Sequence, residues 1–241
     1  MKPRRVHILL AVLILTLGAV VFRHKLPAPV VSTIQLARGK KSVTDRVEQY
    51  GPLVRSRLVP DFARLNMSYP PAAMTLVALK EEKILEVWIS EDLKGYKLLK
   101  SYPILGASGS LGPKLREGDG QVPEGLYRIE SLNPNSLYHL ALRVDYPNRY
   151  DLTKARLENR PDPGSDIMIH GKTCSVGCLA MGDQAAEDLF VLAAECGIAN
   201  ISLILSPVDF RVRDLPRLAA KTPSWTSELY SSIETELEKL Q

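Results

Sequence analysis

The stretch that decides the fold runs from Asp166 to Asp183 and reads Asp-Ile-Met-Ile-His-Gly-Lys-Thr-Cys-Ser-Val-Gly-Cys-Leu-Ala-Met-Gly-Asp. Its apolar start, Ile167 to Ile169, predicts a short buried strand that leads directly into His170. A tight loop follows, and Cys178 then precedes a predicted helix. The order of strand, histidine, loop and cysteine indicates a site for nucleophilic chemistry at the end of a sheet.

A cysteine nucleophile needs thiolate character, which a neighbouring imidazole and a helix N-terminus both supply. We therefore expect His170 to take the proton of Cys178, helped by the helix that is predicted to follow. No Asp or Asn is obviously placed to orient the imidazole, so we expect a backbone carbonyl such as that of Gly171 to hold the ring. A glycine-containing turn just before the nucleophile can present N–H groups to an oxyanion.

Outward from this stretch, apolar alternation predicts a sheet with a few helices packed on it. Thr75 to Leu79 and Ile84 to Ser90 predict a β-hairpin. The other predicted strands cover residues 96–105, 126–130, 138–144 and 201–205. The fold class is therefore mainly β, of the α+β type, arranged as a β-sandwich or barrel.

Helix signals flank the predicted sheet. Ser42 opens an N-terminal helix to about Leu65, with Asp45 three residues later as a partial capping box. Pro60, then Pro70 and Pro71, close this helical region. Asp183 caps a helix that runs through Glu195 after the cysteine. Thr222-Pro223 opens a C-terminal amphipathic helix to Leu240.

The chain begins with a pattern that is typical of export. Lys2, Arg4 and Arg5 precede an apolar run from Val6 to Phe22. The run is of signal-peptide length and at the short limit for a membrane span, so it predicts either a signal anchor in the inner membrane or a cleaved signal. We divide the chain into this segment (1–25), a spacer and helical region (26–72), a catalytic domain (73–212) and a C-terminal helix (213–241).

Charge and cysteine content narrow the partners and ligands. The net charge of +4 and pI of 8.9 come from scattered Lys and Arg, which does not indicate nucleic-acid binding. The three cysteines, Cys174, Cys178 and Cys196, leave at least one thiol unpaired. Cys174, Cys178 and His170 are too few ligands for a typical metal site, so no metal or cofactor is expected. A redox pair of Cys174 with Cys178 is the alternative use of the first cysteine.

These residues carry a family resemblance. Ile-His-Gly at 169–171, followed by Ser175-x-Gly-Cys178-Leu-x-Met181, resembles the active-site signature of the L,D-transpeptidase catalytic domain, or YkuD domain. The Tyr138-His-Leu and Tyr146-Pro-Asn-Arg-Tyr-Asp motifs are similar to its periplasmic YafK-like branch. The resemblance covers about residues 45–210.

The resemblance implies a function in the cell envelope. Cys178 would attack the carbonyl of the L,D-configured bond that follows the diamino acid in a peptidoglycan stem peptide, His170 would act as base, and the carbonyl of Gly171 would hold the ring. The N–H groups of Val176, Gly177 and Cys178 would form the oxyanion hole. Substrate contacts are expected from a further set: Ser175, His139, Tyr146 and Asn148, the last two on a long connection from 146 to 164.

Three departures from the family pattern leave the outcome open, the first being a gap of eight residues from His170 to Cys178, shorter than the commoner form. Val176 stands where the family usually has a second His, and Ala180 stands where Arg or Asn is usual. The resemblance therefore implies either transfer to an amine, giving crosslinks or protein attachment, or hydrolysis that releases a wall-attached lipoprotein. A wall-binding module without catalysis is the third reading.

Overall fold

The computed structural model describes residues 39–214 and 222–240. The helices in these residues are α1 (Val43–Arg64), α2 (Arg149–Leu157), α3 (Asp183–Cys196) and α4 (Thr226–Glu238). The strands are β1 (Ala73–Leu79), β2 (Ile84–Ser90), β3 (Lys97–Pro103), β4 (Gly125–Asn133), β5 (Ala141–Val144), β6 (Met168–His170), β7 (Leu179–Ala180) and β8 (Ile201–Ser206).

The predicted export segment, Val6 to Phe22, lies outside the described residues. Within the described residues, no helix has both the length and the apolar character needed to cross a membrane.

The eight strands form one mixed sheet in the order β3-β2-β1-β8-β4-β5-β6-β7. β1 pairs with β8, and β6 with β7, in parallel, whereas the other neighbours are antiparallel. Beyond β3, Gly106 forms a bridge with Ala180 of β7. The sheet therefore curls until the chain that leaves one edge strand meets the other edge strand, and the mainly β, α+β prediction is confirmed.

The central strand β1 is buried on both faces of this sheet. Met74 and Leu76 pack in a large core with α1 and α3, whereas Val77 and Leu79 pack in a second core with α4. A strand that is covered on both sides needs apolar residues throughout rather than in alternation. This explains the unbroken apolar run of β1.

Helix α1 starts as predicted and ends close to the predicted limit, with Leu65 as its C-cap. The Ser42 side chain accepts from the N–H of Asp45, whose carboxylate accepts from the N–H of Ser42, so the capping box is complete. Pro52 and Pro60 both lie inside the helix. The buried side chains of this helix continue past both exposed prolines to Phe62. Tertiary packing therefore outweighs the cost of about 3 kcal/mol that an interior proline imposes.

Three predictions of local structure were wrong. The connection from 146 to 164 contains α2, a polar helix that Asn148 caps. Helix α3 has Gly182 as its N-cap, and the Asp183 carboxylate instead accepts from the N–H of Lys172. The C-terminal helix starts at Thr226 rather than Thr222. The segment of α2 lacks the apolar stripe that predicts a helix. For α3, the contact of Asp183 with Lys172, a residue outside the helix, decides the boundary.

A buried lysine anchors the loop between β3 and β4, which later reaches the active site. Lys80 Nζ lies 2.8 Å from Glu124 Oε1. It is also within hydrogen-bond distance of three loop carbonyls, those of Ser110, Gly112 and Val122. Burial lowers the pKa of Lys80, and the Glu124 carboxylate opposes that shift.

We expect Lys80→Ala to lower the free energy of unfolding by about 3–5 kcal/mol, because it leaves Glu124 buried without its cation. Chemical denaturation measures this difference. The exposed Lys94→Ala is the matched control and should stay within about 0.5 kcal/mol of the parent. Equal stability of the two variants would contradict the anchoring role of Lys80.

Candidate active site

The short parallel pair of β6 with β7 sets the position of Cys178. Ile169 lies opposite Leu179 in this pair, so the preceding residue Cys178 lies beside Met168. The N–H of Met168 donates to Cys178 Sγ at 3.4 Å. Because side chains alternate along strands, this register places Cys178 and His170 on the same face of the sheet.

The thiol of Cys178 is in contact with backbone groups. Its Sγ donates to the carbonyl of Asp166 at 3.6 Å. Among the described residues, the hydrogen-bond partners of the sulfur are thus Asp166 and Met168 rather than the imidazole. Proton transfer to His170 therefore requires the sulfur to rotate, as is common for catalytic groups without substrate.

The helix predicted after Cys178 is present, but the two-residue strand β7 separates it from the cysteine. Cys178 runs into β7, and α3 begins only at Asp183. Ala180 exchanges backbone hydrogen bonds with Gly106, so pairing with the sheet prevails over helix formation at this point. The field of α3 falls off within its first turn and does not supply the thiolate character that the sequence indicated.

His170 is buried and its ring is held as expected. Its Nδ1 lies 2.6 Å from the carbonyl oxygen of Gly171. A carbonyl can only accept, so Nδ1 carries the proton and Nε2 is left as an acceptor. Burial is the main cause that lowers the pKa of His170; the Gly171 carbonyl opposes this, and the charge of Lys172 adds to it.

The pKa of the Cys178 thiol is raised. Burial is the largest cause, and the N–H of Met168 opposes it. A raised thiol pKa and a lowered imidazole pKa both favour the neutral forms near pH 7. The resting pair is therefore a thiol with a neutral imidazole, and not a preformed thiolate–imidazolium pair.

We expect the rate of iodoacetamide alkylation at Cys178 to keep rising with pH through about 8.5, the ordinary thiol pKa, because the thiolate is the reactive form. Peptide mapping of Cys174→Ser protein measures this rate without interference from the exposed Cys174. A rate that is already constant from about pH 6 would indicate an ion pair and contradict the neutral resting state.

Several backbone N–H groups lie close together in the turn that leads into Cys178. The N–H of Gly177 donates to Ser108 Oγ at 2.7 Å, and that of Cys178 donates to Ser175 Oγ at 3.1 Å. Gly177 has φ of +79°, a conformation that favours glycine. The side chain of Val176 is 81% exposed. The predicted oxyanion donors are thus in one turn, but two of them already have serine partners.

Tyr138 is a site residue that the sequence reasoning missed. Its ring lies on that of His170, with centroids 4.7 Å apart and 37° between the planes. The Tyr138 side chain is 42% exposed, and Lys172 Nζ lies 5.9 Å from its ring centroid. Tyr138 therefore covers the imidazole and faces solvent at the same time. The adjacent aromatic pair at 138–139 was the available signal, but it did not show which ring reaches His170.

The side chain of His139 contacts Glu187 and Tyr50 rather than the His170 ring that Tyr138 covers. Its Nε2 lies 3.0 Å from Glu187 Oε1, and its ring packs edge-on against Tyr50. The backbone of His139 has φ of +78°, which is uncommon for a residue other than glycine. These contacts fix the segment that presents Tyr138. Substrate contact by His139 stays a prediction.

Tyr146 and Asn148 occupy structural positions. Tyr146 is buried, and its hydroxyl donates to the carbonyl of Pro163 at 2.7 Å. The Asn148 side chain accepts from the first N–H groups of α2 and donates to the carbonyl of Leu126. Their predicted substrate contacts are not part of the described geometry and stay predictions.

Replacing Tyr138 tests how the imidazole is covered. We expect Tyr138→Ala to raise the pKa of His170 towards its ordinary value, because water then reaches a ring whose pKa is lowered mainly by burial. Tyr138→Phe keeps the ring and should keep the lowered pKa. Titration of the His170 ring resonances by NMR measures both, and equal values in the alanine variant and the parent would refute the covering role.

The described residues contain no group of three His, Cys, Asp or Glu side chains that could hold a metal ion. The three cysteines are free thiols: Cys174 is exposed, Cys178 is half-buried and Cys196 is buried. The site thus has the Cys178 thiol and the His170 imidazole on one face of the sheet, with backbone N–H groups in the adjacent turn.

Fold and site together define an α+β protein with a cysteine–histidine pair at the end of a curled sheet. The model of the L,D-transpeptidase catalytic domain, YkuD, matches residues 76–199. This is just over half of the chain and includes both His170 and Cys178. The chain belongs to the YkuD family.

The chain is also similar to a curated relative and to solved structures. A protein of Escherichia coli (strain K12) named "Putative L,D-transpeptidase YafK" is 39% identical over 113 residues, which are 46% of this chain and 43% of that protein. The chain thus matches less than half the length of this relative. The helical cell shape determining protein Pgp2 (K307A mutant) of Campylobacter jejuni is 18% identical over 69% of this chain and 54% of its own, with a TM-score of 0.46. L,D-transpeptidase 1 of Mycobacterium tuberculosis is 16% identical over 55% and 61%, with a TM-score of 0.32.

Proposed function

We propose that the chain is an exported cysteine acyltransferase that acts on peptidoglycan stem peptides through a thioester on Cys178. The observation that carries this proposal is the register of β6 with β7, which puts Cys178 and a carbonyl-held His170 on one face. Membership of the YkuD family supports the substrate class. The basic and apolar N-terminal pattern supports a place in the periplasm, attached to the inner membrane.

The proposed reaction starts from the neutral thiol of Cys178 and the neutral imidazole of His170. As Sγ of Cys178 attacks the carbonyl carbon of the L,D-configured amide bond that follows the diamino acid, its proton passes to Nε2 of His170. The C–S bond forms, the C–N bond breaks, and the leaving amine takes the proton from the imidazolium. The carbonyl of Gly171 holds Nδ1–H and stabilises the imidazolium while it lasts.

A second nucleophile then resolves the thioester. An amine gives a new amide bond, and water gives a free carboxylate; in both cases His170 takes the proton and returns it to the departing thiol. The same acyl enzyme thus performs transfer or, when it acts on a wall-attached lipoprotein, release. The products of the reaction distinguish transfer to an amine from hydrolysis by water.

Incubation of the full chain with tetrapeptide muropeptides, with and without an amine acceptor, tests this function. We expect loss of the terminal residue and a new crosslinked or amine-bearing product, and at least a thousandfold loss of both in Cys178→Ala, on the order of the loss when a nucleophile is removed. Cys174→Ala is the matched control and should retain activity.

Other products have a defined meaning. Loss of the terminal residue without a new bond would identify the chain as a hydrolase. Binding of muropeptides without any conversion, unchanged in Cys178→Ala, would contradict an enzyme and indicate a wall-binding module.

A further inference from the structure

The loop between β3 and β4 reaches the nucleophile through one side chain. Ser108 is half-buried, and its Oγ accepts from the N–H of Gly177 at 2.7 Å while it donates to the carbonyl of Gly120 at 2.6 Å. The hydroxyl therefore uses its donor and an acceptor at once, between two segments that are distant along the chain. Neither the sequence motifs nor the reaction above assigns a role to it.

The segment that receives this contact has few other supports. Residues 173–177 connect β6 to β7, and Cys174 and Val176 within them are exposed. In the described part of the chain, the hydrogen bond from Gly177 to Ser108 joins this segment to a loop that is distant in the sequence, whereas Ser175 Oγ accepts from the N–H of the nearby Cys178. A glycine at positive φ is also free to adopt other conformations, so the orientation of the turn depends on an outside contact.

Several hydrogen bonds hold the loop that carries Ser108. The Asp119 carboxylate accepts from the N–H groups of Leu115, Arg116 and Gln121 and from Lys114 Nζ at 2.6 Å. This ties the loop to itself directly beside Gly120, and the buried Lys80 holds its other side. A hydroxyl on such a loop can fix the position of a flexible turn.

We propose that Ser108 is a positioning residue that anchors the Gly177 peptide and keeps its N–H from the oxyanion, so that the N–H groups of Cys178 and Val176 are the predicted donors that remain. The Gly177 N–H is engaged at 2.7 Å, whereas the Cys178 N–H has a longer, 3.1 Å bond to Ser175 within the same flexible turn. An incoming oxyanion replaces the weaker of these partners. This inference rests on the proposed function, and it divides the predicted oxyanion hole into one anchor, Gly177, and two donors, Cys178 and Val176.

Kinetics of the full chain and three variants test the proposal. We expect Ser108→Ala to lower kcat on a tetrapeptide muropeptide by about tenfold to a hundredfold, the size of effect that a misplaced reacting group causes, with KM changed less than about twofold. Ser108→Thr keeps the hydroxyl and should restore most of kcat. The exposed Ser110→Ala, on the same loop, is the matched control.

Amide hydrogen exchange gives a readout that does not require activity. The Gly177 N–H should be protected in the parent and in Ser108→Thr and lose protection in Ser108→Ala, while the core strands exchange as before. Unchanged Gly177 protection in Ser108→Ala would overturn the anchor. A kcat that is unchanged or increased would overturn the positioning role, since an increase would mean that the hydroxyl obstructs the oxyanion.

The two proposals fail in different ways. If the parent converts no stem peptide but Gly177 protection is still lost in Ser108→Ala, the proposed function fails and the anchor stands. If the parent is active and Ser108→Ala matches Ser110→Ala in every measurement, the proposed function stands and this inference fails.

Discussion

The pairing of β6 with β7 is the constraint on which the site depends. The two strands are only three and two residues long, yet their register sets Cys178 beside Met168 and on the side of His170. Three features secure this edge: the bridge from Ala180 to Gly106, the N–H of Met168 on the sulfur, and the carbonyl of Gly171 on the imidazole. Without the pairing, the nucleophile would lie on an unsupported loop.

Burial at this edge determines how the pair is activated. It raises the pKa of Cys178 and lowers that of His170, so both groups rest without charge. A neutral thiol is less reactive towards electrophiles than a thiolate. In the proposed function, the bound substrate would have to let the thiol turn from Asp166 towards the imidazole. Tyr138, half exposed on the imidazole, lies where such a substrate would meet the site.

Sequence patterns correctly predicted the elements that are determined by residues close together in the sequence. The hairpin of β1 with β2 follows from apolar runs around a polar turn, and the start of α1 follows from Ser42 and Asp45. The order of strand, His170 and Cys178 predicted the pair itself and the carbonyl that holds the ring. These features need only near neighbours in the sequence.

The remainder depends on contacts between distant segments. Cys178 enters a strand because Gly106 pairs beside it, and Asp183 turns to the N–H of Lys172 instead of capping its helix. The polar helix α2 lacks the apolar stripe that would have indicated it. Ser108 and Tyr138 reach the site from loops whose approach no spacing in the sequence encodes.

The central claim is that Cys178 carries the acyl group. Mass spectrometry of protein quenched in acid during turnover of a tetrapeptide muropeptide, followed by peptide mapping, tests it most directly. The account predicts a stem-peptide adduct on Cys178 that hydroxylamine removes, as expected for a thioester. An adduct on Cys174 instead, or continued turnover by Cys178→Ala protein, would contradict it.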